Sequence, residues 1–486
     1  MRKINSGVTG AILVAVALAA PLAAAGAAES EPQKTPPAAF VPPKYQFLPD
    51  RENWSVLGNV PEADRTDFFD PIKYLPLSED GQIWASFGGS ARLRLENWWN
   101  FNFLPGQRGD DTFLLWRGRM HTDVHLGEHF RVFAEGKTAL ATDRDLPGGT
   151  TNFYVDSVDL QQLFFDVRVP IGEDGTAFTA RAGRQMYQYG RQRLVSPLPW
   201  GNTLRSWDGL TGVVEVNGWR IDAFGSLFDP VRKYEFNEPN EDVIFYGGYA
   251  AGKTPWCDAS MDLYFLGLSV DDTKTFNGSV GTEDRYTFGA RLYGIVPETS
   301  FDYDVEAAYQ FGRAGSADVS AWMLGAQYGY TFADVWSKPR LLAGLELGSG
   351  DNNPGGNVQT FNQLFPLGHA YMGYIDLVGR QNAISPEIGV EFSPIDKLMV
   401  AVTGYYFWRY STDDALYNAG GTVIRAGDLS DASSVGQEVD VTGTYKFDRH
   451  ASLMLGYSHF FAGEFIEESG TDNDVDFLYF EFTYTF

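Results

Sequence analysis

The stretch IWASFGGSARLRLE at residues 83–96 carries two incompatible faces on one strand. One set, Ile83, Ala85, Phe87, Gly89, Ala91, Leu93 and Leu95, is apolar; the interleaved set, Ser86, Gly88, Ser90, Arg92, Arg94 and Glu96, is polar and charged. A period of two is the pattern of a β-strand. The division recurs downstream. Between Phe113 and Leu126, Leu114, Trp116, Met120 and Val124 alternate with Arg117, Arg119, His121, Asp123 and His125. Further on, Phe130, Val132 and Ala134 alternate with Arg131, Glu135 and Lys137. Buried in a sandwich core, charges at this density would each carry an uncompensated desolvation cost. A closed barrel resolves the conflict, with the apolar face toward lipid and the charged face toward a water-filled lumen.

Residues 474–486, DVDFLYFEFTYTF, supply the closing strand. Leu478, Phe480, Phe482, Tyr484 and Phe486 form its apolar face, and Phe477, Tyr479, Glu481, Thr483 and Thr485 the other. In a soluble sheet such an edge would template aggregation, whereas in a barrel it pairs with the first strand. Strands ending on a C-terminal Phe resemble the closing strands of bacterial outer-membrane barrels. That resemblance implies contact with outer-membrane lipid and delivery by the barrel-assembly machinery. An aromatic content of 15%, 53 glycines and a mean hydropathy of −0.23 fit strands whose alternate residues alone meet lipid. Past residue 30 nothing approaches the ~20 apolar residues of a membrane helix. The lone Cys257 excludes an internal disulfide and a four-cysteine zinc site. A formal charge of −26 argues against a nucleic-acid partner.

The expected fold is all-β, a single transmembrane antiparallel barrel of about eighteen strands. They start near residues 83, 111, 129, 159, 176, 207, 218, 242, 257, 283, 300, 320, 338, 384, 397, 435, 450 and 473. Connections after odd-numbered strands are mostly long, as at 187–206, 349–383 and 411–434; those after even-numbered strands are short, as at Gly127-Glu128 and Asn217-Gly218. Tight periplasmic turns and longer outer loops give this alternation. No blade motif repeats every ~40–45 residues, as a propeller would require. Ahead of the barrel, residues 1–28 read as a signal peptide, with Arg2 and Lys3 before an apolar run from Ala11 to Leu22. Residues 29–82 read as a periplasmic lead-in, Pro-rich and extended as far as Pro61.

Basic residues crowd the early strands and the stretch Arg181 to Arg205, while carboxylates such as Asp302, Asp304, Glu306, Glu346, Glu387, Glu391, Glu438 and Asp440 dominate later ones. A basic wall facing an acidic wall sets a transverse field, and guanidinium ladders favour anions. The alternative is that these charges pair across strands and add little.

The segment ARAGRQMYQYGRQRLVSPLPWGNTLRSWDG at 180–209 resembles the alginate-export family of outer-membrane porins, in which a GRQ-bearing strand leads into a long outer loop. TDFFDPIKY (66–74), GSGD (348–351), GHAYMGYIDLVGRQN (368–382), FWR (407–409) and GQEVD (436–440) follow the family's order. The resemblance implies a narrow barrel with an arginine-rich constriction that passes an anionic polysaccharide. It adds Arg184, Gln185, Arg409, Gln437 and Glu438 to the substrate path read from alternation, Arg92, Arg94, Arg117, Arg119, Arg131 and Lys137. Strict alternation sets Arg181 and Arg184 on opposite faces, so a bulge or an early strand exit is needed near Gly183 if both face the lumen. The sequence departs from the family at the minimal turn Asp448-Arg449 and at Met372, where the exporters have an arginine.

The expected function is therefore a channel for anionic polysaccharide or other anionic sugars, with a general porin for small solutes or hydrocarbons as the alternative. No cofactor is expected. His121, His125 and His129 suggest a metal site only on a helix; on a strand the first two lie ~13 Å apart. Ser458-His459 lacks the partnered acid and oxyanion donors of a barrel hydrolase, so no enzyme is expected. The run Asp351, Asn352, Asn353 reads as an Asx turn rather than a calcium loop.

Overall fold

The computed structural model describes residues 40–171, 176–254, 258–274, 280–353 and 355–486. The expected signal peptide and Cys257 lie outside the described residues. Eighteen strands wind in chain order: β1 (Ile83–Trp99), β2 (Asp111–Leu126), β3 (Phe130–Ala141), β4 (Asp156–Pro170), β5 (Ala177–Gln185), β6 (Ser206–Val216), β7 (Trp219–Asp229), β8 (Asn240–Lys253) and β9 (Ser260–Lys274). The circle continues through β10 (Val280–Ile295), β11 (Phe301–Ala314), β12 (Ala317–Thr331), β13 (Arg340–Gly348), β14 (Ala383–Ile395), β15 (Leu398–Arg409), β16 (Ser434–Lys446), β17 (Ala451–Ala462) and β18 (Val475–Thr485). Each starts within three residues of its expected position. Every strand pairs antiparallel with its chain neighbours, and β18 closes on β1 from Ser90↔Thr485 to Trp99↔Asp476. A two-residue segment, Leu75–Pro76, adds to the start of β1.

Alternation decides which way each side chain points. On β18, Phe480 is 44% exposed, while its neighbour Tyr479 is fully buried inside. The outward set on the early strands, Phe87, Leu93, Leu95, Leu114, Met120 and Phe130, is likewise exposed as a lipid-facing belt. Turning one arginine of the inner set out to the midplane would cost about 2–4 kcal/mol, which fixes the register of β1 to β3.

The interior is filled rather than open. Two outer loops, 186–205 after β5 and 349–382 after β13, fold back into the lumen and join through paired backbone at Val195 and Phe365. Around that junction Tyr187, Leu194, Trp207, Phe224, Phe245 and Phe361 form a buried cluster. A second cluster packs Met372 and Ile375 of the longer loop against Phe407, Phe460 and Phe477. The lead-in, expected to be extended as far as Pro61, instead forms short 3-10 turns at Pro49–Arg51 and Ser55–Asn59, with Leu48, Trp54 and Leu57 buried; a further turn at Glu62–Asp64 and a one-turn helix, Asp70–Lys73, follow.

Candidate functional site

The N-terminal segment is fastened to inward-facing side chains. Arg119 on β2 donates to the Phe47 carbonyl at 3.0 Å, and Arg131 on β3 to the Asp50 carbonyl at 2.7 Å. Arg181 on β5 pairs with the Asp50 carboxylate at 2.9 Å. Arg51 donates to the Gln188 carbonyl of the first inward loop at 3.1 Å. At the short-turn end, Arg449 donates to the Pro43 carbonyl at 2.7 Å and, with His450, pairs with Asp67. Apolar contact supports these bonds, with Phe47 and Leu48 packed on Met186 and Leu204.

Lys73 ends the one-turn helix and is fully buried, its ammonium 5.0 Å from the Tyr45 ring and 4.9 Å from the Trp54 ring. Gly88 leaves room for it, since a Cβ there would meet the Lys73 ammonium and the His121 ring. Burial pushes the Lys73 pKa down to about 8. A released segment would carry an ordinary lysine near 10.4 and bind more protons over that interval. Docking therefore strengthens as pH rises from about 8 toward about 10.4, and it loses this gain below about 8. Conductance measured across this range will fall with rising pH in the wild type. The slope will flatten in Lys73→Met, which has no proton to lose.

The predicted arginines of β1 and β2 face inward but are dry. Arg92, Arg94, Arg117 and Arg119 are each at most 7% exposed. The tip of loop 186–205 covers Arg92, Arg94 and Arg117, and Phe47 of the N-terminal segment covers Arg119. Arg92 donates to the carbonyls of Pro199, Trp200 and Gly201, and Arg117 to those of Pro199 and Gly201 at 3.0 and 2.6 Å. Arg94 binds Glu96 and the Trp200 carbonyl and stacks 3.9 Å from the Trp200 ring, which also stacks on His369. Carbonyls buried in a lumen need donors, and guanidinium forks supply several at once. Glu481 lies 3.5 Å from both Arg92 and Arg94. Lower down, Arg119 pairs with Glu135, Arg131 with Asp123, and Lys137 with Asp156 at 2.7 Å. The expected hydrated ladder is thus a set of buried ion pairs and loop anchors.

Four additions carried by the resemblance need correction or refinement. Gly183 adopts φ +127°, and a Cβ there would strike the Leu163 carbonyl. Pairing nevertheless runs on both sides of β5 without a register shift, so alternation is not reset. Arg184 consequently lies on the outer face opposite Leu163 and Asp208, held by Asp208 at 2.8 Å and Asp229 at 3.2 Å. Gln437 is exposed on the outer face of β16, because neighbouring residues on a strand point opposite ways. Glu438 faces inward but is buried, accepting the Ile375 backbone N–H at 2.9 Å. Arg409 lines neither lumenal cavity: it is buried under the loop after β15, donating to the carbonyls of Thr412, Asp414, Gly427, Ser430 and Ala432 and stacking on Phe465. Gln185 faces inward as expected and lines the larger cavity.

That cavity, about 630 Å³, reaches from loop residues 187–190 to the short-turn rim at Gly127, Glu128 and His129. Its charged lining combines Arg51, Arg168, Arg220 and Arg291 with Asp50, Asp166, Asp222 and Asp262. A second cavity of about 340 Å³ lies by the acidic wall, among Arg191, Arg340, Glu387, Glu391 and Asp440. Between the walls stands Arg193, fully buried and bonded to Asp304, Glu306 and Glu346 at 2.7, 3.2 and 2.9 Å. Arg380 joins it through Glu346 and the Arg193 carbonyl. Neither arginine stands out by alternation, though each falls inside a stretch carrying the resemblance. Arg51 has no such signal.

The three early histidines serve the wall separately: His125 stacks on Trp84 at 4.0 Å, His121 lies by Phe133, and His129 contacts the Arg168 carbonyl. Among the described residues no group of three His, Cys, Asp or Glu side chains could hold a metal ion. His459 pairs with Asp476 at 2.7 Å at the outer end of β17.

Comparison with solved structures finds outer-membrane proteins of Pseudomonas aeruginosa. OpdK crystallised with vanillate aligns at a TM-score of 0.55 and 11% identity, covering 82% of this chain and 98% of that one. OccD3 (OpdP) aligns at 0.54 and 11%, covering 82% and 91%, and OccK8 (OprE) at 0.53 and 11%, covering 83% and 98%. At such identities the likeness is one of fold. No functionally curated protein matches the chain. The family profile described as alginate export matches residues 83–479, from the first barrel strand into the last. The chain belongs to the alginate export family and is a bacterial outer-membrane β-barrel channel, not an enzyme.

Proposed function

We propose that this channel passes anionic sugars, as single sugar acids or as a polyanionic chain. The supporting observation is the set of cavity-lining guanidinium groups, Arg51, Arg168, Arg191 and Arg220, set in a lumen whose early strands are basic. Such groups hold carboxylates in fixed, charge-assisted geometry and repel cations. A polymer would need residues 43–74 and the inward loops to swing aside, whereas a monomer needs less movement. The general-porin alternative gains from the fold shared with OpdK, whose crystals hold vanillate, an aromatic carboxylate. The terminal strand through Phe486 is, on this reading, the segment the barrel-assembly machinery engages.

Liposome swelling separates the two readings. Glucuronate should enter faster than glucose and faster than vanillate, with an anion-selective reversal potential in planar bilayers. Equal rates for all three solutes and a cation-selective potential would discard the sugar-acid reading.

A further inference from the structure

We propose that residues 67–76 are a seam lock, a segment that docks only on the closed barrel and pins the end of β18 to the base of β1. Such a lock acts whatever the channel carries. Every other strand junction joins chain neighbours and is tethered by a turn or loop, whereas β18 on β1 joins the two ends of the barrel sequence. Closing it costs the loop entropy of the whole barrel, and no short tether holds it shut. The two strands also end out of step. The chain stops at Phe486, whose backbone exchanges bonds of 2.8 and 2.9 Å with Gly89, while β1 runs on down to Ile83. One side of that extension pairs with β2, from Ile83↔Leu126 upward. The other, below Phe486, meets no barrel strand among the described residues. An edge of this kind pairs with whatever strand reaches it. Leu75–Pro76 takes the place of β18 there, opposite Ala85 and Trp84.

The motif TDFFDPIKY at 66–74 grips the rest of the seam. Asp67 pairs with Arg449 at 3.1 Å and with His450 at 2.8 Å, both in the turn before β17. The other ring nitrogen of His450 lies 2.7 Å from the Thr485 carbonyl at the end of β18. Phe69 sets its ring 5.2 Å from that of Phe486 and 5.3 Å from that of His450. On the β1 side the Tyr74 ring lies 5.3 Å from Trp84, and the Lys73 ammonium fills the space left by Gly88. Local bonds hold these grips in register: Asp67 accepts the Phe69 N–H at 2.8 Å, and Asp70 accepts the Asp67 N–H at 3.0 Å. Carboxylate and ring therefore project from one tight turn. Their receptor is complete only once β18 has paired with β1, so the segment docks last. Joined to β1 through residues 77–82, it gives the closing junction the short tether that the other junctions have.

Native-state hydrogen exchange of the full-length protein in detergent micelles tests the lock. Strand ends ordinarily fray, so slow exchange at the Thr485 and Phe486 amides of the wild type is the distinguishing expectation. Fast exchange at both overturns the lock without any variant. Asp67→Asn with Phe69→Ala should speed exchange at 480–486 and 89–95 about tenfold or more, as for loss of a charged hydrogen bond, and leave β9 to β12 unchanged. A disulfide across the seam, Ser90→Cys with Thr485→Cys in a Cys257→Ser background, joins directly opposed residues. Oxidised, it should return the lock variant to wild-type exchange. Asp334→Asn, on the exposed turn after β12, should match the wild type. Exchange that rises equally around the whole wall, or that the disulfide does not restore, shows a general stabilising role and overturns the lock. So does wild-type exchange at the seam in a folded double variant. A double variant that folds only with the disulfide formed supports it, and the wild-type amides decide the case in which it does not fold at all.

Discussion

Deleting residues 43–66 will raise single-channel conductance several-fold while the barrel keeps its heat-modifiable migration on gels. The wall is closed by strand pairing, including β18 on β1, and uses no residue of this segment. The segment itself is held firmly. Burying Leu48, Trp54 and Leu57 contributes about 1.5–3 kcal/mol for each large apolar side chain. Each guanidinium–carbonyl bond from Arg119, Arg131 and Arg449 adds roughly 1.5–3 kcal/mol, as for hydrogen bonds to charged groups. Thermal release in the wild type should therefore be rare, and openings brief. Deletion also unmasks Arg181 and Arg131, which lose Asp50 as a partner, so anion preference should increase with conductance. Unchanged conductance would mean that the segment does not obstruct the path.

What could be read from the sequence divides along a physical line. Strand number, start positions and the inward set Arg92 to Lys137 follow from period-two alternation, because the membrane penalises a slip by one residue. Arg184 and Gln437 come from the family resemblance and run against that alternation. In the structure the alternation prevails at both positions, since β5 has no register shift and Glu438 already takes the inward place on β16. The bulge expected near Gly183 would have reconciled Arg181 with Arg184; the glycine takes a positive φ there, but no residue is inserted and the register runs on.

The filling of the lumen is a different matter. Arg92 and Arg117 grip backbone carbonyls at 199–201, and a carbonyl is the same in every residue, so no motif marks the receptor for those arginines. Alternating charges suit a wet lumen and a lumen packed with backbone equally well. The lead-in is obscured in another way. Its proline-rich start reads as extended chain, and Leu48, Trp54 and Leu57 become a buried set only because the barrel offers them an interior.

Arg193→Ala will loosen the inward loops without unfolding the barrel. Its guanidinium is fully buried, touches three carboxylates and lies 4.6 Å from the Tyr371 ring. Removing one partner of a buried ionic cluster costs about 3–5 kcal/mol, largely because the charges left behind lack compensation. Here Arg291 still holds Asp304, Tyr264 still donates to Glu306, and Arg380 still holds Glu346, so the loss falls on the docking of loop 186–205. That loop is tied to 349–382 through backbone bonds at Leu194, Ser196 and Gln192, and the two should loosen together. Hydrogen exchange will rise across both loops and stay slow in β1 to β4. Once the loops loosen, three lumenal carboxylates with one cation fewer will shift the reversal potential toward cations. Arg193→Lys keeps the charge on a compact ammonium that cannot span three partners, so it should fall between the two. Wild-type exchange in loop 186–205 of the alanine variant would show that carbonyl capture by Arg92 and Arg117, rather than the Arg193 cluster, holds the loop in the lumen.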